Sequence, residues 1–76
     1  MKAYVFITVA AGKSPDIVQP LRRQSSVRSA DICWGLPDIV ALIEAADSKA
    51  LQELVVSEIQ RVSGVQHTDT HLVFEQ

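Results

Sequence analysis

Two stretches of this chain are apolar on both faces of an extended strand, and they limit the fold more than anything else in the sequence. Residues 3–9 read Ala-Tyr-Val-Phe-Ile-Thr-Val, the β-branched and aromatic mixture that suits a pleated strand. Ala3, Val5, Ile7 and Val9 share one face, and Tyr4, Phe6 and Thr8 share the other. Both faces are largely apolar, which places the strand in the middle of a sheet. Residues 39–45 repeat the pattern, with Ile39, Ala41 and Ile43 against Val40 and Leu42, and Glu44 as the only charge. This is a second central strand. The chain has 76 residues, so the elements that flank these strands must come from a single small domain, 1–76, that is marginal alone. Met1 and Lys2 followed by an uncharged stretch, 3–11, and Gly12 have the outline of a short secretory leader. Reading the same residues as a strand involves less strain, because a leader would remove the most strand-like segment of the chain.

The segments between and around these strands carry their own signals. Gly12 and Lys13 make a turn, Ser14 stands as an N-cap, Pro15 takes the first helical position and Asp16 lies in the first turn. Ile17, Val18 and Leu21 form the apolar stripe of a short helix, which Pro20 should kink or shorten. Residues 27–33 alternate, with Val27, Ser29, Asp31 and Cys33 opposite Arg28, Ala30 and Ile32, as expected of an exposed edge strand. Gly35, Leu36, Pro37 and Asp38 are a turn cluster, which makes this edge strand and the second central strand a hairpin. Asp47 or Ser48 caps a second helix running to about Ser63, with Leu51, Leu54, Val55, Ile59 and Val62 as its buried stripe. Gly64 stands where a helix ends on a glycine. Residues 65–75 alternate again, through Leu72, Val73 and Phe74, as a second edge strand.

The order is β-α-β-β-α-β, two βαβ halves joined by the hairpin. Parallel pairing within each half requires right-handed crossovers. Placing the two doubly apolar strands in the centre gives an α+β, ferredoxin-like sandwich. Its four-stranded antiparallel sheet has the order 4-1-3-2, with both helices on one face. The other face is left uncovered, although Ile39, Ala41 and Ile43, or their opposite set, must point towards it. An apolar patch of that kind marks an association surface, and a symmetric dimer using the same patch on each subunit is the simplest cover. An obligate homo-oligomer is expected.

Charge and cysteine content narrow the function. Seven Lys and Arg against nine Asp and Glu give a net charge of -2, which argues against direct nucleic-acid binding. One cysteine excludes an internal disulfide framework and an all-thiolate metal cage, and fits a reducing compartment. No apolar run approaches the roughly 18 residues that span a membrane. The expectation is a soluble, cytoplasmic domain without a membrane partner.

Several residue groups have chemical possibilities. His67, Asp69 and His71 share one strand face, but the first and last lie roughly 13 Å apart at their roots, too far to hold one ion without a bulge. Ordinary edge-strand polarity accounts for them. Cys33 reads as a small buried apolar residue rather than a nucleophile. Arg22, Arg23 and Arg28 lack the interleaved aromatics that stack bases, and read as a solvated helix end. Trp34 either lines a pocket wall or caps a core. The turn is the most suggestive feature. Gly35 opens backbone conformations closed to other residues, Asp38 supplies a carboxylate, and Thr68 and Thr70 offer paired hydroxyls on the face opposite the histidines. Carboxylate, exposed amides and hydroxyls together suit a small zwitterion, while each alone fits ordinary turn and edge-strand structure.

The hairpin Cys33-Trp34-Gly35-Leu36-Pro37-Asp38-Ile39-Val40 resembles the Gly-x-x-Asp turn of the effector domain of Lrp/AsnC regulators. Gly64-Val65-Gln66-His67-Thr68-Asp69-Thr70 resembles that family's Gly-Val-x-x-Thr-x-Thr segment leading into its last strand, and Lys2-Ala3-Tyr4-Val5-Phe6-Ile7 is similar to its opening. The resemblance covers essentially the whole chain. It implies the ferredoxin-like RAM domain, face-to-face dimers, assembly into octamers or similar rings, and amino-acid effectors bound at contacts between dimers. It also implies effector contacts from Gly35 and Asp38, with Leu36 and Trp34 beside them and hydroxyls from Thr68 and Thr70. No metal or other cofactor is implied. The chain resembles the family's stand-alone members, which lack a helix-turn-helix domain, so direct DNA contact is not implied; mixed assembly with full-length regulators is a hypothesis that co-purification can test. Competing readings are a small dimeric enzyme of monooxygenase or isomerase type and a purely structural oligomerisation module.

Overall fold

The computed structural model describes residues 1–74. Strand β1 (Lys2–Val9) is followed by helix α1 (Ser14–Arg22), the hairpin β2 (Val27–Ile32) and β3 (Ile39–Glu44), helix α2 (Ser48–Leu54), and strand β4 (Val65–Leu72). The sheet order is β2-β3-β1-β4, which is the expected 4-1-3-2 order read from the other edge. Every hydrogen-bonded pair is antiparallel. The expected parallel pairing within each βαβ half is therefore corrected, because a strand of the other half lies between the two strands of each. β1 and β3 are central because only there are both faces apolar.

Ala3, Val5 and Ile7 of β1 and Ile39, Ala41 and Ile43 of β3 are completely buried. They form one core with Ile17, Val18 and Leu21 of α1 and with Leu51, Val55 and Ile59 of the second helix and its continuation. Both helices thus cover the same face, and each Val, Leu or Ile side chain so buried contributes about 1.5–3 kcal/mol. The open face carries the opposite set. Tyr4 lies across from Leu42 and Phe6 across from Val40.

Local details depart from the sequence expectations, each for a physical reason. The N-cap of α1 is Lys13, not Ser14, and no side chain caps it. The turn already carries Lys13 into helical backbone, since its amide donates to the Ala10 carbonyl at 3.0 Å and its carbonyl accepts from the Asp16 and Ile17 amides at 3.1 Å. Pro20 does not end α1, which runs on to Arg22. Buried Leu21 and the Arg22 Nε, which donates to the Ala30 carbonyl at 2.8 Å, hold the last turn in place. A register shift between Val27 and Ser29 breaks the alternation of β2. As a result Val27 and Ala30, expected on opposite faces, are both buried in the core.

Of the two candidate caps for α2, the residue is Asp47, whose Oδ1 accepts from the Ala50 amide at 2.8 Å. The α2 helix does not reach Ser63. It passes into a π-helical segment over Val55–Ile59, closed by the Gln60 amide donating to the Val55 carbonyl at 2.8 Å. Leu51, Val55 and Ile59 recur every fourth residue, a spacing that drifts around a helix of 3.6 residues per turn. The wider π turn keeps all three beneath the sheet. Regular pairing of β4 ends at Leu72, although the Val73 amide still donates to the Lys2 carbonyl. Glu75, at the end of the expected strand, lies outside the described residues. Among the described residues no helix is long and apolar enough to cross a membrane.

Gly64 connects the second helix to β4 at a φ of +99°, and a Cβ added there would stand 3.1 Å from Ile17 Cδ1. Gly64→Ala is expected to destabilise the fold by about 1–3 kcal/mol. Thermal denaturation should show a fall of about 4–8 °C per kcal/mol.

Candidate ligand-binding site

The β2–β3 turn is pinned to the end of β1 by main chain and side chain together. The Cys33 amide donates to the Asp38 carbonyl at 2.7 Å, and the Asp38 amide donates to the Ile7 carbonyl at 3.0 Å. Asp38 Oδ2 accepts from the Val9 amide at 2.8 Å. Between these anchors the loop stands away from the domain. Gly35 adopts a φ of +109° with no atom within 4 Å of a built Cβ, and the Leu36–Pro37 bond is cis. Trp34 is 106% and Leu36 82% exposed. Trp34 therefore neither lines a pocket wall nor caps a core within this chain.

Thr68 and Thr70 lie on the helix side of edge strand β4, across from Ile7 and Val5, while His67, Asp69 and His71 lie on the open face across from Thr8, Phe6 and Tyr4. Gln60 Nε2 donates to Thr68 Oγ1 at 2.9 Å. Thr70 opens onto a groove of about 450 Å³ between the second helix and β4, walled by Leu51, Val55, Val56 and Leu72. Thr68 and His67 border a neighbouring hollow of about 410 Å³. Ile7 lies between Asp38 and Thr68, so the turn and Thr68 are about two strand spacings or roughly 10 Å apart, and Thr70 lies further along, across from Val5 at the middle of β1. Neither hollow is lined by a turn residue. The register places Asp38 and Thr68 on either side of Ile7, and neither hollow joins the turn residues to the threonines.

Several of the remaining candidates are engaged locally. His71 Nε2 sits 3.0 Å from Asp69 Oδ2, and its ring meets Phe6 edge-on with centroids 4.9 Å apart. Among the described residues no three His, Cys, Asp or Glu side chains are grouped to hold a metal ion. Cys33 is half-buried rather than buried. Its Sγ lies 3.9 Å from the Asp31 carbonyl. Arg22 faces Asp31 at 3.9 Å and Arg28 faces Glu44 at 3.5 Å, exposed pairs worth little in stability but sufficient to occupy both cations. The helix–β4 groove was not anticipated from the sequence. Its signal is Val56, an apolar residue next to the buried stripe but 58% exposed.

The sequence of residues 2–76 matches the family model of the Lrp/AsnC ligand-binding domain. The chain belongs to that family. A comparison with curated proteins finds no match. Among solved structures, the Lrp/AsnC domain described here superposes on TTHA0845 from Thermus thermophilus with a TM-score of 0.91 at 25% identity, covering 99% of this chain and 94% of that one. Escherichia coli AsnC gives a TM-score of 0.91 at 22% identity over 99% of this chain and 51% of its own. The transcriptional regulator NMB0573 from Neisseria meningitidis, in complex with L-Met, gives 0.86 at 19% identity over 99% of this chain and 50% of its own. The last two share the fold, and this Lrp/AsnC domain spans about half the length of each.

Because Asp38 already holds the Val9 amide, replacing it affects stability as well as any ligand. Asp38→Ala is expected to cost about 1.5–3 kcal/mol without any ligand present. Asp38→Asn, which keeps an acceptor oxygen, should lose less. Denaturant titration of both variants checks the ordering.

Proposed function

We propose that this chain is an oligomeric amino-acid-binding regulatory domain, not an enzyme, that modulates amino-acid metabolism or transcription in the cytoplasm. The observation that carries the reading is the β2–β3 turn of a ligand-binding-domain family member. It is firmly anchored at both ends, yet it holds Trp34, Gly35 and Leu36 out in solvent, beside an edge strand bearing Thr68 and Thr70. A surface so fixed and so exposed is half of a site, completed when copies meet. In this reading Gly35 and Asp38 meet the amino and carboxylate groups of the effector, Leu36 and Trp34 flank it, and Thr68 and Thr70 add hydroxyl contacts. The L-Met complex of a structural neighbour supports a ligand of this class. Tyr4, Phe6, Val40 and Leu42 on the open face support a face-to-face dimer, and turn contacts between dimers would extend it to an octamer-like ring. The net charge of -2 supports a role exerted through full-length regulators of the family rather than by direct contact with DNA.

Sedimentation and thermal-shift measurements test both halves of this reading. At micromolar concentration the protein should sediment as a dimer or larger. Phe6→Glu, which places an unpaired charge in the apolar face, should weaken association at least about a hundredfold. A panel of the twenty amino acids at millimolar concentration should raise the melting temperature for one or two of them. A ligand at 100 times its dissociation constant adds about 2.7 kcal/mol. A monomeric protein with a flat response would overturn the proposal.

A further inference from the structure

We infer that Asp69 and His71 on the open face form a proton switch for subunit pairing, in which association takes up a proton at His71 and strengthens as pH falls; this rests on the face-to-face dimer proposed above. Phe6 stands at the centre of that face, with Val40 across from it on β3 and Asp69 across from it on β4. A carboxylate is therefore only one strand spacing, about 4.8 Å, from a residue that a second sheet has to cover. In the single chain the Asp69 side chain is 61% exposed, and water solvates its charge. A sheet laid over Phe6 takes that water away, and a carboxylate without a counter-charge in such a place is costly. His71 supplies the counter-charge. Its Nε2 lies 3.0 Å from Asp69 Oδ2, and its ring is held edge-on against Phe6, so the pair is already assembled beside the apolar centre. Once protonated, the imidazole turns a lone anion into a neutral pair, and imidazoles are the side chains that change charge between about pH 5 and 8.

The other charged groups around the face are placed elsewhere. Lys2 of β1 lies across from Glu44, four residues or roughly 13 Å along the strand from Phe6. Glu44 of β3 faces Arg28 of β2 at 3.5 Å, and Asp31, beyond Val40, faces Arg22 at 3.9 Å. The Met1 ammonium donates to the Ala45 carbonyl at 2.9 Å. Tyr4, directly across from His71, is a phenol and carries no charge in this range. His67 lies on the other side of Asp69, across from Thr8. A dimer that binds more protons than two separate chains is favoured by acid, and its advantage is lost as pH rises through the range in which the paired imidazole gives up its proton. Two copies take up at most two protons, so the dissociation constant changes by up to about a hundredfold per pH unit.

Sedimentation equilibrium of the intact chain between about pH 6 and about pH 8.5 tests the inference. The dimer dissociation constant should fall at least about tenfold from the alkaline to the acid end. Asp69→Asn, which removes the charge and keeps the shape, should associate tightly at both ends. His71→Gln, which keeps a donor but cannot take the proton, should associate weakly at both ends. Both side chains are exposed in the single chain, so the variants should fold, and their melting curves check this. Acid also brings the net charge of -2 towards zero, but that effect acts on both variants alike, whereas the switch sets them at opposite levels. His67→Gln should keep the wild-type profile. A wild-type constant that does not change with pH would overturn the inference and leave the face-to-face reading standing. So would a pH dependence that survives in Asp69→Asn or His71→Gln, or one that disappears with His67→Gln. Failure of the wild type and Asp69→Asn to associate at any pH would overturn both.

Discussion

The apolar character of both faces of β1 is the constraint on which the rest of the domain depends. One of its faces is sealed by the helices, and its edges are taken by β3 and β4. The second half of the chain therefore has to thread around it: β3 returns on one side, and β4 arrives on the other after the second helix. Keeping each βαβ half paired within itself across the β2–β3 hairpin, in the order 1-2-3-4, would put β1 at an edge and leave Val5 and Ile7 with a strand on one side only. The interleaved order follows from that energetic preference. The same order brings the β2–β3 turn and the start of β4 to one end of the sheet.

Asp38 illustrates how structural and functional demands meet in this small domain. In sequence it is a turn carboxylate that suits either a ligand or the turn's own amides. In the folded chain one of its oxygens is committed to the Val9 amide, and its backbone ties the turn to Ile7 and Cys33. A carboxylate used in this way makes the turn rigid, and rigidity lowers the cost of ordering a loop when a partner or ligand arrives. The unconstrained part of the loop is therefore short, and it carries two exposed apolar side chains, Trp34 and Leu36.

The sequence was informative where periodicity reflects burial. The alternation in β1 and β3, the stripe of α1, the choice of central strands and the place of Gly64 all followed from which residues must leave water. It was less informative where two local solutions differ by little. Ser14 and Lys13 compete for one cap position, and the preceding turn decides between them. The bulge at Arg28 moves Val27 and Ala30 onto one face, which strict alternation cannot express. The π turn arises from a four-residue spacing that on paper looks like an ordinary helical stripe. The candidate turn and threonines were identifiable as residue types in order, but their separation across Ile7 depends on the sheet register. The groove beneath β4 depends on the path of the helix, and so was hidden.

The two edges of the sheet are unequal, and this sets a direction for growth. β2 is kinked by its bulge, and Arg22 already occupies the Ala30 carbonyl, so another strand cannot dock there without displacing that side chain. β4 keeps a regular register with β1 from His67 to Leu72. Strand addition is thus confined to one side of the molecule. Two copies joined edge to edge through β4 would have only blunted ends left, and such a sheet stops at a pair instead of elongating into a fibre.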